Sequence, residues 1–299
     1  MTRWLITGSK GQLGTDLQQL LADDDVTAVD LPELDITDEA ATRSFVDGWL
    51  AGGGDCVLLN AAAYTAVDAA EEHEDVAHAV NAVAPGILAR ACASRALLVH
   101  VSTDYVFDGT ATTPYDEETP PDPRSAYGRT KAAGERAVLD ADPGAYVVRT
   151  AWVYGAGGNN FVKTMCRLER ERDSIDVVDD QRGSPTWSRH LAQGLLDVAR
   201  VRPAPGVYHC TGSGDTTWCG FTKAIFEELG ADPGRVHPTT TDKFPRPAPR
   251  PAFSVLSDRR WREAGLPPMP HWRDALAEAF RTVGDAFRGE IRPIGDTAP

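Results

Sequence analysis

The sequence predicts an α/β protein built on a parallel sheet with helices on both faces. Short, almost wholly apolar runs alternate with helical patterns through the first 150 residues, as strands buried on both faces do. A glycine-rich turn follows the first apolar run directly and opens a helix. The chain has 299 residues, 42% hydrophobic and 25% charged. That suits one large domain or two ordinary ones and excludes a disordered or fibrous chain.

In chain order, Trp4–Ile6 reads as the first strand and Gln12–Leu21 as the helix after the glycine turn. Val26–Val29 is the second strand and Cys56–Leu59 the third. Leu97–Val101 is the fourth, reached through an alanine-rich helix near Asp75–Arg95. A helix near Ala126–Leu139 leads to a fifth strand, Tyr146–Arg149. The second half is less regular, with helices over Phe161–Glu171, His190–Ala199, Phe221–Leu229 and Trp272–Phe287. Short strands fall near Ile175–Val178 and Val207–His209, and Pro245–Pro251 and Pro267–Pro270 must be loops. The expected organisation is a sheet domain over 1–150, to which parts of 180–210 return. A smaller α/β unit spans 151–288, and a tail at 289–299 has little to bury.

Formal net charge is −14, unevenly spread: residues 1–80 hold three bases and sixteen acids. That pattern argues against nucleic acid and anionic membrane as partners, since both attract clustered Lys and Arg. The chain lacks a run of about 18 apolar residues, so a membrane span is not expected. The apolar start is too short for a signal-peptide core. Five cysteines form no CxxC pair and read as reduced core residues of a cytoplasmic protein, not as metal ligands.

Three motifs carry chemistry. In Gly8-Ser-Lys-Gly11-Gln-Leu-Gly14 the glycines allow a tight turn and close backbone approach to a pyrophosphate. The same string also serves as a plain strand–helix turn. Asp30 ends the second strand, where a carboxylate accepts the adenosine ribose hydroxyls and repels a 2′-phosphate. Lys10, inside the loop, can sit near such a phosphate or simply be solvated, so local charge leaves NADH against NADPH open. Tyr127 and Lys131 share a helix face at i, i+4. An adjacent ammonium is expected to lower the phenol's pKa and fit it for acid–base work. YxxxK alone also describes a surface pair. Ser102-Thr103-Asp104, ending the fourth strand, brings a hydroxyl to the same crevice.

This Ser/Thr–Tyr–Lys set on a nucleotide-binding sheet resembles the extended branch of the short-chain dehydrogenase/reductase superfamily, with a Rossmann-type doubly wound sheet. Collinear stretches from Met1 to about Phe287 resemble its dTDP-4-dehydrorhamnose reductase family: Asn60–Asp68, Ser102–Gly109, Arg149–Tyr154, Gly158–Met165, Asp180–Thr186, Gly206–His209 and Arg250-Pro251. The resemblance implies hydride transfer from NADPH, or NADH, to the 4-keto group of a dTDP-6-deoxyhexulose. Tyr127 would protonate the C4 oxygen, Lys131 would hold the nicotinamide ribose, and Thr103 would orient the keto group. Gly8, Lys10, Gly11, Gln12, Leu13 and Gly14, with Asp30, Asp35 and Ile36, would line the pyrophosphate and adenosine end. Ala61, Ala62, Ala63, Tyr64 and Thr65 would lie along the cofactor's middle. Asp104, Trp152, Asn159, Asn160 and Arg250 would meet the sugar nucleotide, although Trp152 also reads as an ordinary buried aromatic.

One departure matters. Some relatives bridge a dimer through magnesium held by two acidic positions, which here are Asp16 and Arg189. Arginine repels a cation, so no metal is expected and the chain reads as a monomer or a homodimer without a magnesium bridge. An Asp16–Arg189 pair across another interface is a further option. Residues 241–262 carry six bases against two acids, a candidate grip for the substrate diphosphate, with Arg250 foremost. Related dTDP-4-keto-6-deoxyhexose reductases and a non-catalytic regulatory subunit on the same fold are the competing readings. A dehydratase would need an Asp-Glu pair after Thr103, and Asp104-Tyr105 stands there instead.

Overall fold

A computed structural model describes residues 2–289; the rest of the expected tail lies outside the described residues. The first half supplies β1 (Thr2–Thr7), β2 (Asp25–Val29), β3 (Asp55–Asn60), β4 (Leu97–Thr103) and β5 (Tyr146–Thr150). Between and after them run α1 (Gln12–Leu20), α2 (Glu39–Leu50), α3 (Glu74–His78), α4 (Ala84–Cys92) and α5 (Ala126–Ala141). The second half adds β6 (Val153–Tyr154), α6 (Phe161–Glu171), β7 (Ile175–Val178), β8 (Arg182–Gly183), β9 (Thr186–Trp187) and α7 (Ser188–Val201). Then come β10 (Gly206–His209), β11 (Thr216–Thr217), α8 (Trp218–Glu228), β12 (Val236–Thr239), α9 (Arg259–Glu263) and α10 (Trp272–Arg288).

Six strands form one parallel sheet in the order β10-β5-β4-β3-β1-β2. From β1 the chain first moves outward to β2 and then crosses back to β3. The strand order therefore reverses beside β1, which opens a crevice at the carboxyl ends there. Side chains alternate between faces with the period of two that a strand imposes. Trp4, Ile6, Val57, Leu59, Val99 and Val148 pack with Leu17 of α1 and Leu191 and Leu195 of α7. Leu5, Leu58, Leu98 and Val147 pack on the other side with Val46 of α2, Leu88 of α4 and Val138 of α5. A separate cluster joins α6, α8 and α10 through Val162, Phe221, Ile225, Leu276 and Phe280.

Two local outcomes depart from the sequence expectation. The crossover helix α2 fully buries only Thr42, Val46 and Trp49 and was not anticipated, although Asp38 caps it by accepting from Ala41 N at 3.0 Å. The continuous helix expected near Asp75–Arg95 is interrupted by a π-helical stretch at Ala79–Val83. Pro85, four residues after Asn81, lacks the N–H that would hold the Asn81 carbonyl in an α-helix. Gly134 of α5 packs against that carbonyl; a Cβ there would lie 2.0 Å from it.

Candidate active site

A cleft of about 590 Å³ opens at the carboxyl ends of β1 to β5 and reaches Trp218 at the start of α8. Gly8, Gly11, Gln12, Leu13 and Gly14 form one wall. Gly8 takes φ +73°, and a Cβ on it would meet Ala62 N at 2.5 Å. A Cβ on Gly14 would lie 2.2 Å from Gly8 O, so only glycine lets the loop fold onto the helix start. The N-cap of α1 is Gly11, with no capping side chain and no acid in the first turn. The first N–H groups of α1 are thus free of side-chain caps and fit an anion such as a pyrophosphate.

Beside the end of β2, Asp30, Asp35 and Ile36 line the cleft. Asp30 accepts Lys10 N at 3.0 Å and Leu31 N at 2.8 Å. The Lys10 side chain is not among the lining groups; it pairs with Glu33 at 2.9 Å. Ala61, Ala62, Ala63 and Thr65 line the middle, whereas Tyr64 packs instead with Ala70, Ala77, Ala126 and Tyr127. Asn81 holds the Tyr64 main chain there, accepting its N–H at 2.8 Å and donating to its carbonyl at 3.1 Å.

The chemical end is set by α5 and the end of β4. Ser125 caps α5, accepting Gly128 N at 3.1 Å. Gly128 seats this first turn on the chain after β4, since a Cβ there would be 2.2 Å from Tyr105 O. Tyr127, Lys131, Thr103 and Asp104 therefore converge on the cleft. Thr103 Oγ1 donates to Asp104 Oδ1 at 2.9 Å and accepts Tyr105 N at 3.2 Å. Lys131 is 1% exposed; its Nζ donates to Val101 O at 2.7 Å and lies 3.5 Å from His100 Nε2. Asn60 Oδ1 accepts Thr7 Oγ1 and Ala62 N, so its amide nitrogen donates to His100 Nδ1 at 3.0 Å.

Burial decides the protonation states. It brings the Lys131 ammonium down to about 8, against the anion of Glu135, which favours the charge. It holds His100 neutral, well below the ordinary histidine value, and the charge of Lys131 adds to this. Asp104 is pushed up to about 6 by burial, against the hydroxyls of Ser254 and Thr103. The expectation that Lys131 lowers the Tyr127 phenol is not met. Burial pushes Tyr127 up to about 12, partly offset by the Thr103 hydroxyl, while the Lys131 ammonium is turned to the Val101 carbonyl.

Trp152 lines the cleft in a left-handed backbone conformation, φ +48°, stacked on Trp218 with ring centroids 3.5 Å apart. Gly183 lies beneath it; a Cβ there would be 2.5 Å from the indole. Of the other expected substrate contacts, Asp104 lines the cleft, whereas Asn159, Asn160 and Arg250 are not on its wall. Asn160 caps α6 and donates to Gln12 Oε1 at 3.0 Å, acting one layer behind the wall. Asn159 is exposed. Arg250 pairs with Asp68 at 2.8 Å, and Arg259 and Arg262 pair with Asp116 and Asp258. Arg250 and Arg259 are committed to acids brought near by folding, which their sequence cluster did not reveal; Arg262 pairs with Asp258 one turn before it. Asp16 is buried and accepts the Ser188 hydroxyl, while Arg189 of the same chain reaches Gln19 at 3.5 Å.

Sequence reasoning missed Tyr105, Thr150 and Trp218 on the wall. Ser102 Oγ, Thr150 Oγ1 and one Asp104 oxygen are buried without a hydrogen-bond partner, and all three residues line the cleft. Unpaired buried polar atoms are costly, so this floor is built to meet a polar ligand. All five cysteines are free and buried. Among the described residues no helix is long and apolar enough to cross a membrane.

Comparison with known proteins agrees with this geometry. The family model described as RmlD substrate binding domain matches residues 2–284. A dTDP-4-dehydrorhamnose reductase of Streptomyces griseus is 51% identical, with 93% of each chain covered. A probable dTDP-4,6-dihydroxy-2-methyloxan-3-one 4-ketoreductase of Streptomyces antibioticus is 50% identical, covering 94% of this chain and 95% of that protein. The crystal structure of dTDP-4-dehydrorhamnose reductase from Bacillus anthracis in complex with NADP superposes with a TM-score of 0.89 at 38% identity, over 93% of this chain and 98% of that one. A family model spanning nearly the whole chain, and relatives at half identity over nearly their full length, establish that this chain belongs to the RmlD substrate-binding-domain family of dTDP-4-dehydrorhamnose reductases.

Proposed function

We propose that the protein reduces the 4-keto group of dTDP-4-dehydro-L-rhamnose with NADPH or NADH, giving dTDP-L-rhamnose. The observation that carries the reading is the convergence of Thr103, Tyr127 and Lys131 on one cleft whose opposite wall is an uncapped helix start behind a glycine loop. A reduced nicotinamide bound there would supply the hydride to C4. The glycine loop and the first N–H groups of α1 would hold its pyrophosphate, and Asp30 would accept ribose hydroxyls. Tyr127 remains a neutral phenol at physiological pH because burial raises it, so it stands ready to give its proton to the C4 oxygen. Thr103 orients that oxygen, and its tie to Asp104 fixes the hydroxyl. Lys131, anchored on Val101 O, would hold the nicotinamide ribose. Trp152 offers a rigid aromatic face to the sugar nucleotide. Residues 1–150, with β10, form the cofactor domain and the smaller unit over 151–288 receives the substrate. Reduced cysteines suit a cytoplasmic setting.

The test is turnover of dTDP-4-dehydro-L-rhamnose, followed by loss of reduced cofactor and by product identity, in wild type and Tyr127→Phe. A drop of about 10²–10⁴-fold in kcat with cofactor affinity retained is expected. Full activity in the variant overturns the proton-donor role, and no turnover by wild type favours a regulatory subunit. A second reading, another dTDP-4-keto-6-deoxyhexose reductase, is favoured by one fact. The Streptomyces antibioticus ketoreductase is as similar to this chain as the rhamnose enzyme is. The configuration of the product at C4 separates the two.

A further inference from the structure

The adenosine rim of the cleft holds a switchable ion pair. Lys10, in the glycine loop, has three ammonium N–H donors, and the structure gives all three an acceptor: Leu31 O at 2.6 Å, and Glu33 Oε2 and Oε1 at 2.9 and 3.1 Å. Its backbone N–H meanwhile binds Asp30, the ribose-facing carboxylate. Asp30 and Asp35 line the cleft itself, so this rim carries three carboxylates against the one ammonium of Lys10. A 2′-phosphate arriving at Asp30 meets a negative rim whose counter-charge is already engaged. The engagement is loose: the Lys10 and Glu33 side chains are 58% and 55% exposed, where an ion pair is weak and readily exchanged.

We propose that Glu33 is a specificity-determining residue that tunes how well a 2′-phosphorylated cofactor competes with an unphosphorylated one. With an unphosphorylated ribose, Lys10 stays on Glu33 and Leu31 O, and Asp30 takes the ribose hydroxyls. With a 2′-phosphate, Lys10 leaves Glu33 for the phosphate, and Glu33, half exposed, returns to water. This exchange rests on the dinucleotide reading of the cleft and would let an acidic rim take either cofactor. The Lys10 main chain keeps its bond to Asp30 in both cases, so only a side chain needs to move.

The experiment is calorimetric titration with 5′-ADP and with 2′,5′-ADP, which carry the adenosine end without the nicotinamide. It compares wild type, Glu33→Gln and Lys10→Met at low and high salt. Glu33→Gln should tighten 2′,5′-ADP about fivefold, the scale of one exposed like-charge contact, and move 5′-ADP by less than about twofold. Lys10→Met should weaken 2′,5′-ADP by a similar factor, and both effects should shrink in high salt. A ratio of the two affinities unchanged in Glu33→Gln overturns the proposal. If wild type binds neither nucleotide while remaining folded, the dinucleotide reading itself fails, and the proposal with it.

Discussion

Replacing Glu135 by Gln tests how the active-site helix is held. Glu135 of α5 and Arg149 of β5 form a two-point ion pair, 2.8 Å at Nε and 2.7 Å at Nη2, with side chains 4% and 3% exposed. The pair fastens the helix bearing Tyr127 and Lys131 to the sheet. Arg149 also stands 4.9 Å over the Phe107 ring and 3.4 Å from His209 Nε2. His209 stays neutral, held far below its ordinary value chiefly by burial and further by the Arg149 charge. Glu135→Gln leaves Arg149 buried with its charge unmatched, which costs about 3–5 kcal/mol. With an unfolding entropy of about 2.1 cal/mol/K per residue over 299 residues, that lowers Tm by roughly 5–8 °C. The same anion helps keep Lys131 charged, one helical turn away, so its loss should move the Lys131 titration to lower pH. Thermal melts and the pH profile of kcat/KM measure the two effects. In Glu135→Gln/Arg149→Met no buried cation is orphaned, so at least half of the lost stability should return while the shifted titration persists. A single variant melting within about 1 °C of wild type, or a double variant no more stable than the single one, refutes the reasoning.

Three further outcomes follow from the cleft. In wild type, kcat/KM should fall about tenfold per pH unit above pH about 8 as Lys131 loses its proton, because the Tyr127 phenol, raised to about 12, stays protonated there. A flat profile to pH 10 would contradict the assignment. Gly8→Ala places a Cβ 2.5 Å from Ala62 N at φ +73°, and should weaken 5′-ADP binding at least about tenfold by pushing the loop off the chain that follows β3. Near-normal calorimetric affinity would show that the loop does not hold the pyrophosphate. Trp152→Ala removes the stack on Trp218 and should weaken dTDP binding about tenfold, ~1.4 kcal/mol, with little change in 5′-ADP. Equal losses for both nucleotides would place the indole's role in folding rather than in substrate binding.

The motifs legible in sequence are those whose chemistry is local. Gly8 and Gly14 follow β1 by necessity, because the backbone turn opening the helix admits no Cβ at either. Tyr127 and Lys131 share a face because four residues make one helical turn. The charges were less legible. Arg250, Arg259 and Arg262 read as a basic cluster, yet each finds an acid, two of them on distant segments at Asp68 and Asp116. Helix α2 escaped detection because its buried side is only a few residues wide, Thr42, Val46 and Trp49.

Local spacing and periodicity therefore pointed to the parallel sheet, the glycine loop and the shared face of Tyr127 and Lys131, while the family came from the resemblance of collinear stretches to known reductases. Tertiary structure decided the rest. It raised the Tyr127 phenol instead of lowering it, because burial costs a phenolate more than the Thr103 hydroxyl returns. It moved Lys10 onto Glu33, Tyr64 into a packing role and Asn160 behind the wall, and it brought Trp218 from a remote helix onto Trp152. Side-chain direction and desolvation depend on neighbours far apart in the chain, and a linear pattern carries no record of them.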